Sequence, residues 1–500
     1  MSLRGFATGL LVALVGLGAL AFGSVEGWAS AALRLGLIVV AIALVLDRRP
    51  SGPPAAARAL LLPLAALCVL ALLQTVPIPD AVARLASPRW ASLRPTLVPS
   101  GGPSGLPALL EERAKAGGAT AAPGAAPLTA PVPAGVGSGE HALSVASTTT
   151  RRAVLAWITA GLALACAATL AIHPVERYRL LWGLALWTGA LGAIALFARL
   201  SGTTRLLWIR EAPLDAEVLG PFVNPNHFAA FVEIGTLVAL GLLLALLGGP
   251  EGTVSRSSIR KAVVDRSWAF PRLLVLGGCA VLGAIGLVLS GSRAGILAFA
   301  VGLAALLAAR RLKGWLVVGI VLAVCLGLAV GVASWAGGEG RALKPSPYKS
   351  GSLDPSFAMR WDIWGRTLTI IRDFPVTGSG LGTFGYVYAI YDRPGEWLET
   401  DQAHNDYLQI VAETGLAGAV LLLWALVVLT RRVLRPAVRH RSGFRWTSAA
   451  CVSAVFAIAL HAIFEFGLQI PAVAVEFAVT LGILTAVASD GGADAGPEAA

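Results

Sequence analysis

Apolar runs of 17 to 24 residues recur along this chain, and they constrain its fold more than any other feature. A helix of that length crosses the hydrocarbon core of a bilayer with its backbone hydrogen bonds satisfied internally. Twelve such spans are expected: 6–23, 29–46, 59–78, 153–173, 180–200, 228–248, 271–290, 293–309, 312–335, 407–429, 446–464 and 470–488. The chain is 56% apolar and 13% charged, against roughly 25% charge in soluble domains, so a string of soluble domains is excluded. The fold class read from this pattern is an all-α polytopic integral membrane protein. The first run follows Arg4 and is succeeded at once by further spans, which favours a retained signal anchor over a cleaved leader.

The net charge of +11 is distributed unevenly. One set of alternating loops carries Arg48, Arg49 and Arg58, then Arg177 and Arg179, then Arg256, Arg260, Lys261 and Arg266, then Arg310, Arg311 and Lys313. It ends in RRVLRPAVRHRSGFR, with six arginines. The positive-inside rule makes these loops cytoplasmic, with both termini on the same side. Short basic loops suit anionic lipid headgroups, so membrane lipids and not nucleic acid are the partners this charge implies. The five cysteines all fall inside spans with no C-x-x-C spacing, and read as small apolar fillers.

The resulting organisation is 1–78, spans one to three; 79–152, an outer loop; 153–335, spans four to nine; 336–406, a long outer loop; 407–488, spans ten to twelve; and 489–500, a cytoplasmic tail. Within the first outer loop, 99–141 holds 16 Gly plus Pro in 43 residues, a composition too costly to order into a core. Its flanks VPIPDAVARLASPRW and HALSVASTTTRR suit short amphipathic pieces on the membrane surface.

The polar residues that can carry chemistry lie in few places. In GPFVNPNHFA, Asn224 suits an Asx turn, Pro225 fixes φ and Asn226 suits a helix cap; this is either a turn alone or the lining of an outer cavity by Asn226 and His227. In LVLSGSRAGIL, Arg293 either snorkels to the interface or turns inward to bind an anion, for which its planar fork suits phosphate. In the long loop, FAMRWDIWGRTLTIIRDFPV predicts an amphipathic helix with Phe357, Trp361, Trp364, Leu368 and Ile371 along its apolar face. TGSGLGTFGYVY follows; without a preceding strand its glycines point to a tight backbone re-entry and not to a dinucleotide loop. Last comes TDQAHNDYLQIVAETG, where His404 either caps the tenth span with Asn405 or serves as a proton acceptor near neutral pH. Asp401 or Asp406 is placed to orient its ring, with Tyr407 beside them. Glu413, two turns on, suits pairing with an arginine of a neighbouring helix, and His461 suits packing within a span.

SGSRAG at 290–295, RWDIWGRTLTIIRDFPVTGSGLGTF at 360–384 and HNDYLQIVAETG at 404–415 resemble the O-antigen ligase and polymerase superfamily, and GPFVNPNHFA resembles a segment of its ligase-like members. The resemblance implies an inner-membrane glycosyltransferase that works at the periplasmic face and takes a glycan from an undecaprenyl diphosphate carrier. Neither nucleotide sugar, cofactor nor metal is implied; no D-x-D pair and no His/Cys cluster of ligand spacing occurs in the chain. The family's essential histidine matches His404, its outer arginine Arg293, and its long-loop arginine Arg360. Where relatives carry an arginine before NPN, this chain reads LDAEVLG, and Arg210 and Arg205 are the nearest basic groups. The acceptor implied is lipid A-core, with a growing polysaccharide or a protein hydroxyl as alternatives, and a monomer is expected. A transporter that moves the carrier without breaking a bond is the competing class, since carboxylates such as Glu413, Glu465 and Glu476 lie in or beside spans.

Overall fold

The computed structural model describes residues 2–47, 52–79, 81–82, 140–211, 218–248, 269–308, 355–391, 400–439 and 445–493. Its helices are α1 (Leu3–Leu20), α2 (Gly27–Leu46), α3 (Ala55–Leu73), α4 (Ser147–Ala171), α5 (Pro174–Ser201), α6 (Pro225–Gly248), α7 (Phe270–Leu289), α8 (Arg293–Ala308), α9 (Pro355–Asp373), α10 (Phe384–Tyr391), α11 (Asp406–Val428), α12 (Arg445–His461) and α13 (Pro471–Ala493). Among the described residues, nine helices are long and apolar enough to cross a membrane. The expected spans 293–309 and 446–464 are the shorter α8 and α12. The span expected at 312–335 and the Gly/Pro-rich tract lie outside the described residues.

The chain divides into two compact units. The first comprises Met1–Leu62, Thr159–Ala342 and Leu426–Ala500; the second comprises Pro63–Ile158 and Leu343–Ala425. In the first unit, small residues let helices approach closely, as lipid-embedded packing requires. A Cβ at Gly192 of α5 would lie 2.2 Å from the Leu282 carbonyl oxygen of α7, and one at Gly241 of α6 would lie 2.3 Å from Ala450 of α12. Charged groups gather at one end of this unit. Arg4 pairs with Asp47 and His173, and Arg177 reaches Asp490 at 2.6 Å. The start of α1, the end of α2, the α4–α5 turn and the end of α13 therefore meet there.

The second unit has a separate core of Ile363, Ile370, Phe374, Phe384, Val387, Tyr388, Ala403 and Ala412. Helix α9 buries Ile363, Thr367 and Ile370, while Phe357, Trp361 and Leu368 of the expected apolar face are exposed. The helix is apolar on two sides, and Thr367 fits the core because its hydroxyl donates to the Ile363 carbonyl at 2.7 Å. Pro77–Pro79 and Glu140–Ala142 pair as antiparallel strands β1 and β2, with Ile78 opposite His141.

Helix α11 is not continuous. It breaks at Gly415, whose φ of 63° and ψ of −157° are open only to glycine. A broken helix strands backbone groups that must find other partners. The loop after α9 supplies them: Leu416 and Ala417 N–H donate to the Pro375 and Val376 carbonyls at 2.8 and 3.2 Å. In return, Ser379 and Gly380 N–H donate to the Ala412 and Glu413 carbonyls at 3.1 and 2.9 Å. Gln74 seals the junction, its amide donating to the Thr377 and Glu413 carbonyls at 2.6 and 2.9 Å and accepting from Leu381 N–H at 3.0 Å. The glycine loop is thus inserted into a helix break, which is the physical form of the expected re-entry. A Cβ at Gly378 would lie 2.2 Å from the Glu413 carbonyl carbon.

Candidate functional site

His404 belongs to the second unit, in the short segment between Asp401 and α11. Its φ of 47° lies in the left-handed region, which few non-glycine residues adopt but in which histidine is enriched. The residue before it is fixed on both sides. Ala403 N–H donates to Gln409 Oε1 at 2.9 Å, and its carbonyl accepts from Trp364 Nε1 at 3.1 Å. Capping of α11 falls to Asn405, whose Oδ1 accepts Leu408 N–H at 3.0 Å. Asp406 follows at the first helical position, where a carboxylate complements the exposed amides. The His404 side chain is half-exposed, as is Tyr407; Asp401 is exposed and Asp406 buried.

Arg360 sits on α9 one turn before Trp364, the residue bonded to the Ala403 carbonyl, so its turn of helix is ~6 Å along the axis from that anchor. It is half-buried. Asp362 and Arg366, four apart on α9 and so on one face, form an ion pair at 2.6 Å. A Cβ at Gly385 of α10 would lie 3.2 Å from Asp401, so α10 abuts the start of the His404 segment. Glu413 does not pair with an arginine among the described residues. Its carboxylate accepts Gly382 N–H at 2.7 Å, Phe384 N–H at 3.1 Å and Gln409 Nε2 at 3.2 Å.

Arg293, Arg210, Asn226 and His227 belong to the first unit. SGSRAG is a reversal between α7 and α8: Gly291 takes φ 63°, and Ser292 caps α8 through Oγ to Gly295 N–H at 3.2 Å. Arg293 is then the first residue of α8 and is exposed. A cation at the positive end of a helix costs about 0.3–1 kcal/mol, and an anion bound there reverses the sign. Gly295 leaves room for α6 and α12; a Cβ there would meet Ala229 at 2.8 Å and His461 at 3.1 Å. In NPNH the Asx turn forms, with Asn224 Oδ1 accepting Asn226 N–H at 2.9 Å. The cap of α6 is therefore Asn224, and the Asn226 amide reaches Glu465 at 2.6 Å instead. His227 is buried edge-on against Phe466 at 4.6 Å. The first turns of α6 and α8 and the α12–α13 loop thus form one end of this unit. Arg210 pairs with Glu26 at 2.7 Å and lies 5.0 Å from the Phe22 ring.

Residues 278–423 match the family model for O-Antigen ligase. The match supports the O-antigen ligase superfamily and, with it, glycan transfer of the ligase and polymerase kind. It contains Arg293, Arg360, Asp401, His404, Asp406 and Tyr407, and ends in α11 beyond the break at Gly415. Arg210, Asn226 and His227 precede the matched stretch. No curated protein matches the chain. Together with the apolar helices, the O-antigen ligase match points to a multi-pass membrane protein.

Three features of the two units escaped the sequence reading. Gln74 and Gln409 organise the second unit through buried amides, and glutamine carries no sequence signal for such a role. The third is the pair of Glu233 and His461, 3.2 Å apart and buried in the first unit between α6 and α12. A lone carboxylate in the apolar stretch FAAFVEIGT was the available clue to it.

Proposed function

We propose that this protein transfers a glycan from undecaprenyl diphosphate to lipid A-core at the periplasmic face of the bacterial inner membrane. The acceptor hydroxyl attacks the anomeric carbon of the carrier-linked sugar. His404 takes the hydroxyl proton, the bond from that carbon to the diphosphate oxygen breaks, and undecaprenyl diphosphate leaves with the bonding electron pair. Charge growing on the diphosphate is met by Arg293 at the head of α8, with Arg360 as the second cation. Arg210, already paired with Glu26, is the weaker candidate for that contact. Asn226 and His227 contribute to glycan binding at the end of the first unit, and Asp401, Asp406 and Tyr407 contribute to substrate binding in the second.

The observation that carries this reading is the fixed left-handed conformation of His404, within a stretch that matches a glycan-transfer family. Rigid support of a histidine suits a proton acceptor, whose efficiency depends on geometry first. The membrane side is tested by cysteines at positions 404 and 440 in intact cells, labelled with an impermeant reagent. Label is expected at 404 and not at 440, and the reverse would reject the periplasmic assignment. Supplying the purified protein with carrier-linked glycan and, separately, lipid A-core, a second carrier-linked glycan or a serine-containing peptide tests the acceptor. Product is expected on lipid A-core; product only on another acceptor would reassign the enzyme.

A further inference from the structure

We propose that Gln409 is a positioning residue for His404, acting through the main chain of Ala403 and anchored by Glu413. The inference rests on the reading of His404 as the transfer base. Gln409 is 1% exposed and spends its whole side-chain amide on this task. Oε1 accepts the Ala403 N–H at 2.9 Å, while Nε2 donates to Gln402 Oε1 and to Glu413 Oε1, the latter at 3.2 Å. Glu413 is 3% exposed and is itself held by Gly382 and Phe384 N–H. An unbroken set of bonds therefore runs from the glycine loop through Glu413 and Gln409 to the residue before His404.

The geometry explains why the support ends at residue 403. A residue with positive φ is readily lost to the extended or right-handed region unless its surroundings over-determine it. The N–H of Ala403 belongs to one peptide plane and its carbonyl to the next. Gln409 fixes the first plane and Trp364 the second. His404 then leaves a peptide plane held by Trp364 and enters Asn405, itself held as the cap of α11, so its backbone and Cβ direction are restrained from both sides. Gln409 and Glu413 are four residues apart on the first segment of α11, so one helix face carries the bracing. The break at Gly415 lies two residues beyond Glu413 and lets the glycine loop reach the carboxylate.

The test uses the full chain in nanodiscs, with donor turnover, KM for the carrier-linked donor and unfolding temperature measured together. Gln409→Met keeps the side-chain length and removes every hydrogen bond. Its kcat is expected to fall roughly 10²-fold with KM within about threefold, because the base is misplaced and the donor site is not. Gln409→Glu keeps an oxygen for the Ala403 N–H but turns an acceptor toward Glu413 Oε1, so it is paired with Glu413→Gln, which restores a donor between the two positions; this exchange is expected to stay within about tenfold of wild type. Trp364→Phe removes the other bond to Ala403 and is expected to lower kcat in the same KM-neutral way, which covers the case in which Gln409→Met does not fold. A lower unfolding temperature with wild-type kcat in the folded protein would overturn the proposal, as would equal loss in Gln409→Met and in the Gln409→Glu/Glu413→Gln exchange. His404→Ala is assayed beside them. If it is inactive while Gln409→Met and Trp364→Phe turn over normally, only the positioning role fails; if it is fully active, the reading of His404 as base fails.

Discussion

His404→Ala is expected to lower glycan transfer by roughly 10²–10⁴-fold while carrier-linked donor binds as in wild type. The half-exposed imidazole lies in the second unit beside Asp401 and Asp406, in a segment whose negative groups do not attract a diphosphate. The cation at the head of α8 lies in the first unit. Removing the imidazole deletes the proton acceptor and leaves that cation in place. Arg293→Lys is expected to act differently, weakening donor binding, since a point charge does not reproduce the two parallel bonds of a guanidinium. Equilibrium binding and single-turnover transfer on the same preparations separate the two defects. A His404→Ala protein with wild-type turnover would reject the base assignment.

Gly415→Ala is expected to be among the most destabilising single-methyl changes in the second unit. The backbone at 415 occupies a region closed to residues with a Cβ, and the added carbon would sit 2.5 Å from the Val376 carbonyl carbon and oxygen. Strain and overlap together cost about 3–5 kcal/mol, a large part of the roughly 5–15 kcal/mol that holds a domain folded. Relief would require α11 to close its break, which would expel the loop that supplies Pro375, Val376, Ser379 and Gly380 to it. Gly365 in α9 is the control: nothing lies within 4 Å of a Cβ there, and Gly365→Ala is expected to be neutral or stabilising by up to about 1 kcal/mol. Denaturant unfolding in detergent gives both values. A Gly415→Ala protein as stable as Gly365→Ala would mean that α11 runs straight.

What the sequence disclosed follows from which forces leave a periodic trace. Lipid exposure demands long apolar runs, so nine of the expected spans were legible to within a few residues among the described residues, and 29–46 emerged as Gly27–Leu46. The Asx turn at Asn224 was legible because its chemistry is local; the exact cap was not, because the Asn226 amide is drawn off by Glu465, far along the chain. The break in α11 was hidden, since 407–429 reads as one largely apolar run through Gly415 and hydropathy does not register a kink. The second apolar side of α9, with Ile363 and Ile370, was overlooked for a related reason: apolar spacing along one face does not say that another face meets the core. In the candidate site, His404, Arg293 and Arg360 stood out as polar residues in an apolar chain. The glutamines that organise the second unit did not, because their role exists only once distant segments are brought together.

The central claim is that a glycosidic bond to the carrier is broken at a histidine-dependent site. Release of undecaprenyl diphosphate measures it most directly, with purified protein in nanodiscs, carrier-linked glycan and lipid A-core. Wild-type protein is expected to release one carrier diphosphate for each glycan joined to the acceptor, and His404→Ala to release almost none over the same time. Movement of intact carrier-linked glycan across the membrane, with no diphosphate released by the wild-type protein, would contradict the account and make the protein a transporter.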